Sequence, residues 1–530
     1  MKSYQKIAGA AMALAVSAGL CAGAYASSPH YYDASGEGDD WTAWTQAWKD
    51  VSQDFTKVSI TVGADQSQLN FAWYSKSPDD AKVMFGKTGA DPAEFDGKSG
   101  KVETDLTGGE QYYYNHVTVT GLEENQTYSY QVTKSGEASD PAEYKTGSFS
   151  ELKILYVGDP QIGASKGQEQ AGTLDEDAGN TAARNDAYGW NRTLNAAVAQ
   201  NPDLSFIISA GDQVNNTGNP KEEEFAGYLN ADVLKNYAEA TTIGNHDSLT
   251  PDYQYHFFDP NMSDKGATAA GGDYYYSYGP GLFIVLNTNN YNVAEHAELI
   301  KEAVASNPDA PWRIVTIHQD IYGSGLDHSD SDGMILRTQL TPLFDSNDID
   351  VVLQGHDHTF SRSKLLSGDN GQHGNYEFRL NEDGSDYDWD HAYNVDTDEA
   401  VTLAPEDSDK QAKAGKDAFD KDNLCYSIED TDGNSADDPD GTLYMEANSA
   451  SGSKFYELVP EMQDYIAVRS QNWLPSYSVI DLTNTAFTVS TYQLNEDGKA
   501  ESVLTQSADG TVEGADSGTD ETFTINKSAK

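Results

Sequence analysis

From Lys153 onward, apolar strands alternate with helical stretches, and this alternation constrains the fold of the chain more than any other feature. The apolar runs are KILYVGD, LSFIISAGDQ, ATTIGNHD, LFIVLNT, WRIVTIHQD and IDVVLQGHDH. Helical patterns lie between them at 184–201, 221–236, 293–306 and 334–346. Near-continuous apolar strands separated by helices are typical of buried sheets that helices cover. The sequence therefore predicts a layered α/β domain, in which two packed sheets are flanked by helices.

Other regions of the chain have different residue patterns. From about 50 to 148, short alternating strands with turn signals and no helical period predict an all-β sandwich of about 100 residues. Residues 369–440 hold 22 acidic and 5 basic residues with poor apolar periodicity, which predicts a solvated acidic insertion. The strand pattern returns in TLYMEANSASGSKFY, YSVIDLT and FTVSTYQL.

The N-terminal residues have the features of a targeting segment. Lys2 and Lys6 precede an apolar stretch that ends in the small-residue pattern Ala24-Tyr25-Ala26. This pattern predicts a cleaved signal peptide over 1–26, and hence a secreted or periplasmic protein. We expect a polar lead-in over 27–48, the sandwich over 49–149, the α/β domain over 150–494 and a polar tail over 495–530. No later run is apolar enough to span a bilayer, so no membrane insertion is expected.

The charge of the chain limits its partners. Its 86 acidic and 33 basic residues give a formal net charge of -53. A surface this negative repels nucleic acid, which is therefore an unsuitable partner. An anionic substrate would need a strong local positive charge, and bound metal ions supply one.

Polar side chains follow five of the apolar strands. Because ligand sites in α/β sheets lie beyond the carboxyl ends of the strands, we expect these side chains to converge. Two carboxylates, one amide oxygen and three imidazoles suit Zn, Fe or Mn, and one aspartate can bridge two ions about 3.5–4 Å apart. The candidate ligands are Asp159, Asp212, Asn245, His318, His356 and His358.

The motifs that carry these residues are GD, GDQVN, GNHD, VTIH and GHDH, in that order. In this order they resemble the calcineurin-like metallophosphoesterase superfamily and, within it, the purple acid phosphatases. The stretch HVTVTGLEENQTYSYQVT at 116–133 resembles the fibronectin-type-III-like N-terminal domain of those phosphatases. The resemblance implies such a sandwich followed by an α/β/β/α metallophosphoesterase domain with the acidic insertion.

The resemblance also implies roles for the candidate residues. Asp212 would bridge two divalent or trivalent metal ions, Asp159 and His358 would complete the first site, and Asn245, His318 and His356 would complete the second. His246 would contact the phosphate and protonate the leaving group. His328, ten residues after His318, falls near the position of a substrate histidine.

The chain departs from the family pattern at two positions. Asn215 stands where the purple acid phosphatases have the tyrosine that gives ferric iron its colour, so a ferric, coloured centre is not expected. Gln161 stands where the wider superfamily has a histidine ligand, and it could bind a metal, contact substrate or do neither. Asn215 is likewise a possible metal or substrate contact. We expect Asp247 and Asp357 to orient the ligand imidazoles.

Three functions are compatible with these motifs. The first is an exported phosphomonoesterase of small phosphate esters, which uses a metal-activated hydroxide with His246 as general acid. The second is a phosphodiesterase or nucleotide pyrophosphatase, because the same metal pair serves those reactions. The third is a non-catalytic surface or calcium-binding module.

Overall fold

The computed structural model describes most of the chain between His30 and Ser528. The described segments are 30–34, 38–103, 109–165, 178–215, 222–326, 332–369, 373, 376–379, 388, 390–403, 405, 408–429, 433–495, 497–507, 512–513 and 521–528. The predicted signal peptide, 1–26, lies outside them. None of the helices in these segments combines the length and the apolarity needed to cross a bilayer.

The first part of the chain forms the predicted β-sandwich. One sheet has the strand order β1-β2-β6-β5, and the other joins β4, β3 and β7, with β8 and β9 on β7. Alternate side chains of facing strands, such as Phe71, Val83 and Tyr130, meet in a shared apolar core. The strands are β1 (Val58–Val62), β2 (Gln68–Ser75), β3 (Lys82–Lys87), β4 (Ala93–Asp96), β5 (Lys98–Lys101), β6 (Tyr113–Thr120), β7 (Thr127–Lys134), β8 (Glu137–Ala138) and β9 (Ala142–Lys145).

The first sheet of the larger domain continues from the sandwich. Its order is β30-β26-β25-β10-β11-β12, with β10, β11 and β12 parallel, and β12 then pairs with β1 at Thr61 and Glu239. Its strands are β10 (Leu152–Val157), β11 (Phe206–Ser209), β12 (Glu239–Thr241), β22 (Ser435–Asp437), β25 (Ser476–Leu482), β26 (Ala486–Leu494), β27 (Ala500–Ser502) and β30 (Thr522–Asn526).

The second sheet has the order β13-β14-β15-β16-β23-β17-β24-β28-β29, and β14, β15, β16 and β23 are parallel neighbours. Its strands are β13 (Tyr274–Tyr278), β14 (Gly281–Val285), β15 (Trp312–Thr316), β16 (Val351–Gln354), β17 (Phe360–Ser367), β21 (Ser427–Glu429), β23 (Thr442–Glu446), β24 (Ile466–Ser470), β28 (Thr505–Ser507) and β29 (Val512–Glu513).

Side-chain alternation along the central strands produces four layers. Ile154 of β10 and Ile314 of β15 face each other's sheets in the central core. Leu155 points the opposite way, into the cluster that includes Trp190, and Val315 points into the cluster of Leu299 and Leu340. The helices are α1 (Gly38–Val51), α2 (Ala178–Gln200), α3 (Glu222–Tyr228), α4 (Asp252–His256), α5 (Val293–Ser306), α6 (Asp332–Ser346) and α7 (Lys410–Asp422), with a 3-10 turn at Asp232–Lys235. The predicted α/β/β/α architecture is therefore present.

Three segments that were expected to be polar and irregular contain regular structure. The lead-in, 27–48, includes most of α1, which packs through Trp48 against α2 and α3. The tail, 495–530, supplies β30, whose Phe523 lies in the central core. The acidic insertion, 369–440, contains α7 and a three-stranded sheet of β18 (Tyr376–Glu377), β19 (His391–Asn394) and β20 (Ala400–Thr402). In each segment a few apolar side chains, such as Trp48, Phe419 and Phe523, are buried among otherwise polar residues.

Candidate metal centre

The predicted ligands follow the carboxyl ends of β10, β11, β12, β15 and β16. Glycine precedes four of them, and at two positions the glycine is needed because a carboxylate approaches closely. A Cβ atom on Gly244 would lie 2.0 Å from Oδ1 of Asp212, and one on Gly355 would lie 2.6 Å from Oδ2 of Asp159. The small residues thus let the two carboxylates reach the shared edge of the sheets.

Two groups of ligand atoms share Asp212. Asp212, His318 and His356 form one group, and Asp159, Asp212 and His358 form the other, with the ligand atoms of each group within 4.8 Å of one another. Nε2 of His318 lies 3.5 Å from Oδ1 of Asp212, and Nε2 of His358 lies 3.9 Å from Oδ1 of Asp159. This is the arrangement that a bridging aspartate between two cations requires.

Asn245 joins the second group. Its Oδ1 lies 3.0 Å from Nε2 of His318, which in turn lies 3.1 Å from Nδ1 of His356. All six predicted ligands therefore meet at one place in the fold.

Four residues of the site have a left-handed backbone conformation, which residues other than glycine rarely adopt. Asp159 has φ +42°, Asp212 +47°, His356 +79° and His358 +49°. Residues other than glycine in this left-handed region cost free energy, and they concentrate at functional sites where surrounding structure fixes them. Here the turns direct carboxylates and imidazoles from parallel strands towards the same point.

Backbone carbonyl groups orient the imidazoles. Nδ1 of His318 lies 3.0 Å from the carbonyl oxygen of Ala210, and Nδ1 of His358 lies 2.8 Å from that of Lys454. An Nδ1–H that donates to a carbonyl leaves Nε2 as the lone-pair atom, and this Nε2 faces the carboxylates. Both histidines are thereby fixed in the tautomer that binds a metal through Nε2.

The two aspartates that we expected to orient the imidazoles lie in different surroundings. Oδ2 of Asp247 accepts hydrogen bonds from the backbone N–H groups of Gly244 (3.0 Å) and Gln213 (3.3 Å), so this carboxylate holds the two turns together. Asp357 is buried beside Asp320 and Glu446, as part of a third group of carboxylates.

His246 lies next to the bridging aspartate. Its backbone N–H donates to Oδ1 of Asp212 over 2.9 Å, and its Nδ1 forms a short hydrogen bond with the carbonyl oxygen of Asn215. The side chain is half-buried. His328, the other predicted substrate histidine, lies outside the described residues.

Gln161 and Asn215, the two residues that depart from the family pattern, are in contact with each other. Nε2 of Gln161 lies 3.4 Å from Oδ1 of Asn215. The Gln161 side chain is fully buried, and its Oε1 has no hydrogen-bond partner within the described part of the chain. A buried amide oxygen without a partner costs folding free energy, and a bound cation or water would offset this cost. This oxygen is therefore suited to be a metal ligand.

The electrostatics of the site favour cations. Burial, followed by the charge of Asp212, raises the pKa of the Asp159 carboxyl well above its ordinary value. Burial, followed by the positive charge of Lys454, lowers the pKa of the His358 imidazole. Two adjacent buried carboxylates are stable in the ionised form only beside positive charge, and neutral imidazoles are metal ligands, so the residues present fit a metal pair.

The loop after β23 also contributes to the site, although the sequence analysis did not predict it. After β23, residues 447–459 run across the site: the Ala450 N–H donates to the Gly158 carbonyl over 2.8 Å, and Ser449 Oγ donates to the Asp159 carbonyl over 2.9 Å. The run ANSASGS that follows an apolar strand is the sequence signal for this loop. The run contains no carboxylate, imidazole or thiol, and for that reason it did not stand out.

Two family models match the chain. The one described as Purple acid Phosphatase, N-terminal domain matches residues 55–146, and the one described as Calcineurin-like phosphoesterase matches residues 152–360. None of the curated protein sequences matches the chain significantly.

Several solved structures are similar to the chain. The purple acid phosphatase from yellow lupin (Lupinus luteus) seeds is 13% identical with a TM-score of 0.54, over 89% of this chain and 75% of that chain. GAP50, the anchor in the inner membrane complex of Plasmodium, is 13% identical with a TM-score of 0.36, over 69% of this chain and 91% of that one. At these identities the lupin similarity concerns the fold.

Proposed function

Since the chain belongs to the calcineurin-like phosphoesterases and carries the N-terminal domain of purple acid phosphatases, we propose that it is an exported phosphatase that hydrolyses small phosphate monoesters at a dinuclear metal centre. The observation that carries this proposal is the pair of ligand groups that share Asp212. A single shared carboxylate between two sets of borderline ligands is suited to two ions held close together.

The chain supplies specific ligands for each ion. Asp159, Asp212 and His358 would hold the first, and Asp212, Asn245, His318 and His356 would hold the second. Two ions held there would supply positive charge for the phosphate oxygens and would lower the pKa of a water molecule, the chemistry that phosphoester hydrolysis needs. The carbonyl groups of Ala210 and Lys454 keep the imidazoles of His318 and His358 in the binding orientation.

His246 is the proposed proton donor to the leaving group. Because its Nδ1 bonds to the Asn215 carbonyl, the protonated imidazolium form of His246 would deliver the proton for the ester oxygen from Nε2. Its backbone N–H is tied to Asp212, so the ring stays next to the bridging ligand. General acid catalysis by a placed imidazole contributes about 10²–10⁴-fold to a rate.

The metals of this proposal are divalent Zn, Mn or Fe. Asn215 offers no phenolate to stabilise ferric iron, and Gln161, with its buried Oε1, offers a neutral oxygen in the same place. Neutral amide oxygens favour divalent ions over a ferric tyrosinate centre. The proposed centre is therefore colourless.

Export is part of the proposal because of the predicted signal peptide. Cleavage after Ala26 would give a mature chain that begins three residues before His30. Mass determination of the N-terminal peptide from protein recovered outside the cytoplasm tests this part, and an intact Met1 in exported material would contradict it.

The decisive experiment combines metal quantification, visible absorption and hydrolysis assays on one preparation. We expect about two divalent ions per chain, no visible charge-transfer band, and faster hydrolysis of p-nitrophenyl phosphate than of bis(p-nitrophenyl) phosphate. Faster hydrolysis of the bis ester would show a phosphodiesterase instead. A metal-loaded protein that cleaves neither ester would contradict the proposal.

A further inference from the structure

The loop at 447–459 places one lysine beside the metal ligands. The backbone carbonyl of Lys454 accepts a hydrogen bond from Nδ1 of His358 at 2.8 Å. The backbone of Lys454 is therefore in direct contact with a ligand of the first metal position. Its side chain is half-buried, and its Nζ lies 4.3 Å from the centre of the Tyr456 ring. The Tyr456 ring in turn stands edge-on to His358, with ring centres 5.6 Å apart.

The backbone on both sides of Lys454 is fixed by another segment. The Tyr32 N–H donates to the Gly452 carbonyl over 2.7 Å, and the Phe455 N–H donates to the His30 carbonyl over 2.8 Å. The ring of His30 also packs on Trp473, with centres 4.0 Å apart. A side chain that projects from a backbone anchored at both ends is presented in a defined direction, as a binding site requires.

The charge of Lys454 acts at two of the metal ligands. Burial has the largest effect on both, since it raises the pKa of the Asp159 carboxyl and lowers the pKa of the His358 imidazole, and the Lys454 charge lowers both pKa values. In a chain with a formal net charge of -53, a cation held at this place counteracts the repulsion that an anionic substrate meets. Coulomb attraction grows with the charge of the ligand, so a monoester dianion gains more from this lysine than a diester monoanion.

We propose that Lys454 binds the phosphate group beside the metal pair and selects phosphate monoesters over diesters. The inference rests on the proposed function, because it assigns the substrate class to the same site. A lysine ammonium on a phosphate oxygen forms a charge-assisted hydrogen bond, and its loss weakens binding roughly 10-fold or more.

Calorimetric titration of inorganic phosphate into the metal-loaded protein tests the assignment without depending on turnover. Lys454→Met keeps the carbonyl that holds His358 and removes only the charge, while Lys454→Arg restores a cation. Lys364→Met is the matched control, because Lys364 is also half-buried and lies on β17, six residues beyond His358. We expect roughly 10-fold weaker phosphate binding for Lys454→Met, near wild-type binding for the other two variants, and unchanged metal content in all three.

Hydrolysis of the two nitrophenyl esters then tests the selectivity. Lys454→Met should raise KM for p-nitrophenyl phosphate with little change in kcat, and should leave kcat/KM for the bis ester within about 3-fold. Unchanged phosphate affinity, equal losses for the two esters, or loss of metal together with phosphate would each overturn the assignment. A wild-type protein that binds metal and phosphate but cleaves neither ester would contradict the proposed function, while the titration would still decide on Lys454.

Discussion

At the scale of single residues, the sequence predicted the ligand side chains of the metal centre but not the groups that orient them. Ligand types and their order after strands predicted all six residues that meet at the site. The orienting groups are backbone carbonyls, at Ala210 and Lys454, and every residue carries such a group. No sequence pattern distinguishes them. For the same reason the sequence did not reveal that Asp247 accepts backbone N–H groups of the two turns.

The shared position of Asp212 makes a specific prediction. Asp212→Ala removes a ligand from both groups and leaves three imidazoles without their common carboxylate, so both metals and activity should be lost together, with a rate decrease of at least roughly 10³-fold. Metal quantification and p-nitrophenyl phosphate hydrolysis on the same sample measure both effects. Asp203→Ala, at an exposed aspartate in the segment before β11, is the control and should change neither. A variant that keeps two ions and most of its rate would remove Asp212 from the bridge.

At the scale of elements, strong periodicity predicted boundaries well and sparse apolar residues did not. The helix predicted at 293–306 is observed at Val293–Ser306, because its apolar residues recur on one face throughout. The helix predicted at 221–236 ends at Tyr228, and a 3-10 turn follows at Asp232–Lys235. The tail was predicted to be polar because large apolar side chains are sparse in it, although two of them, Phe523 and Ile525, are buried in the central core.

The strand formed by this tail should contribute measurably to stability. Phe523 is 2% exposed and lies under the guanidinium of Arg362, whose carbon Cζ is 4.5 Å from the ring centre. Phe523→Ala should lower the free energy of unfolding by about 3–4 kcal/mol through lost burial and a residual cavity. Thr522→Ala, on the other face of β30, should cost no more than about 1 kcal/mol. Urea unfolding followed by tryptophan fluorescence compares the two, and equal effects would mean that β30 is not packed as described.

At the scale of the whole molecule, the two domains share a buried apolar core, and buried polar contacts also join them. β1 of the sandwich pairs with β12 of the first sheet at Thr61 and Glu239. Beside this junction, Tyr74 of β2 donates to Glu222 over 3.1 Å and stacks on His256, which lies 2.8 Å from the same carboxylate. Hydrogen bonds between buried groups specify one relative placement of the domains, because any shift would leave them without partners. Such pairs across distant segments have no local sequence signature.

The buried acids at this junction should make the molecule more stable at acidic pH. Burial raises the pKa of Glu239 from its ordinary 4.5 to about 8, and that of nearby Asp259 from 3.8 to about 7. Between the ordinary and the raised pKa values the folded protein holds protons that the unfolded chain releases, so the free energy of unfolding falls as pH rises from about 5 to about 8. Glu239→Gln replaces one of these acids with a group that does not titrate, so the free energy of unfolding should fall less steeply with pH. The variant's stability relative to wild type should be highest near pH 8. Asp203→Asn, at an exposed aspartate, should leave the decline as in wild type. Unfolding midpoints in urea, measured across this range, decide the matter: a wild-type midpoint that rises with pH would show that neither acid is protonated in the folded state.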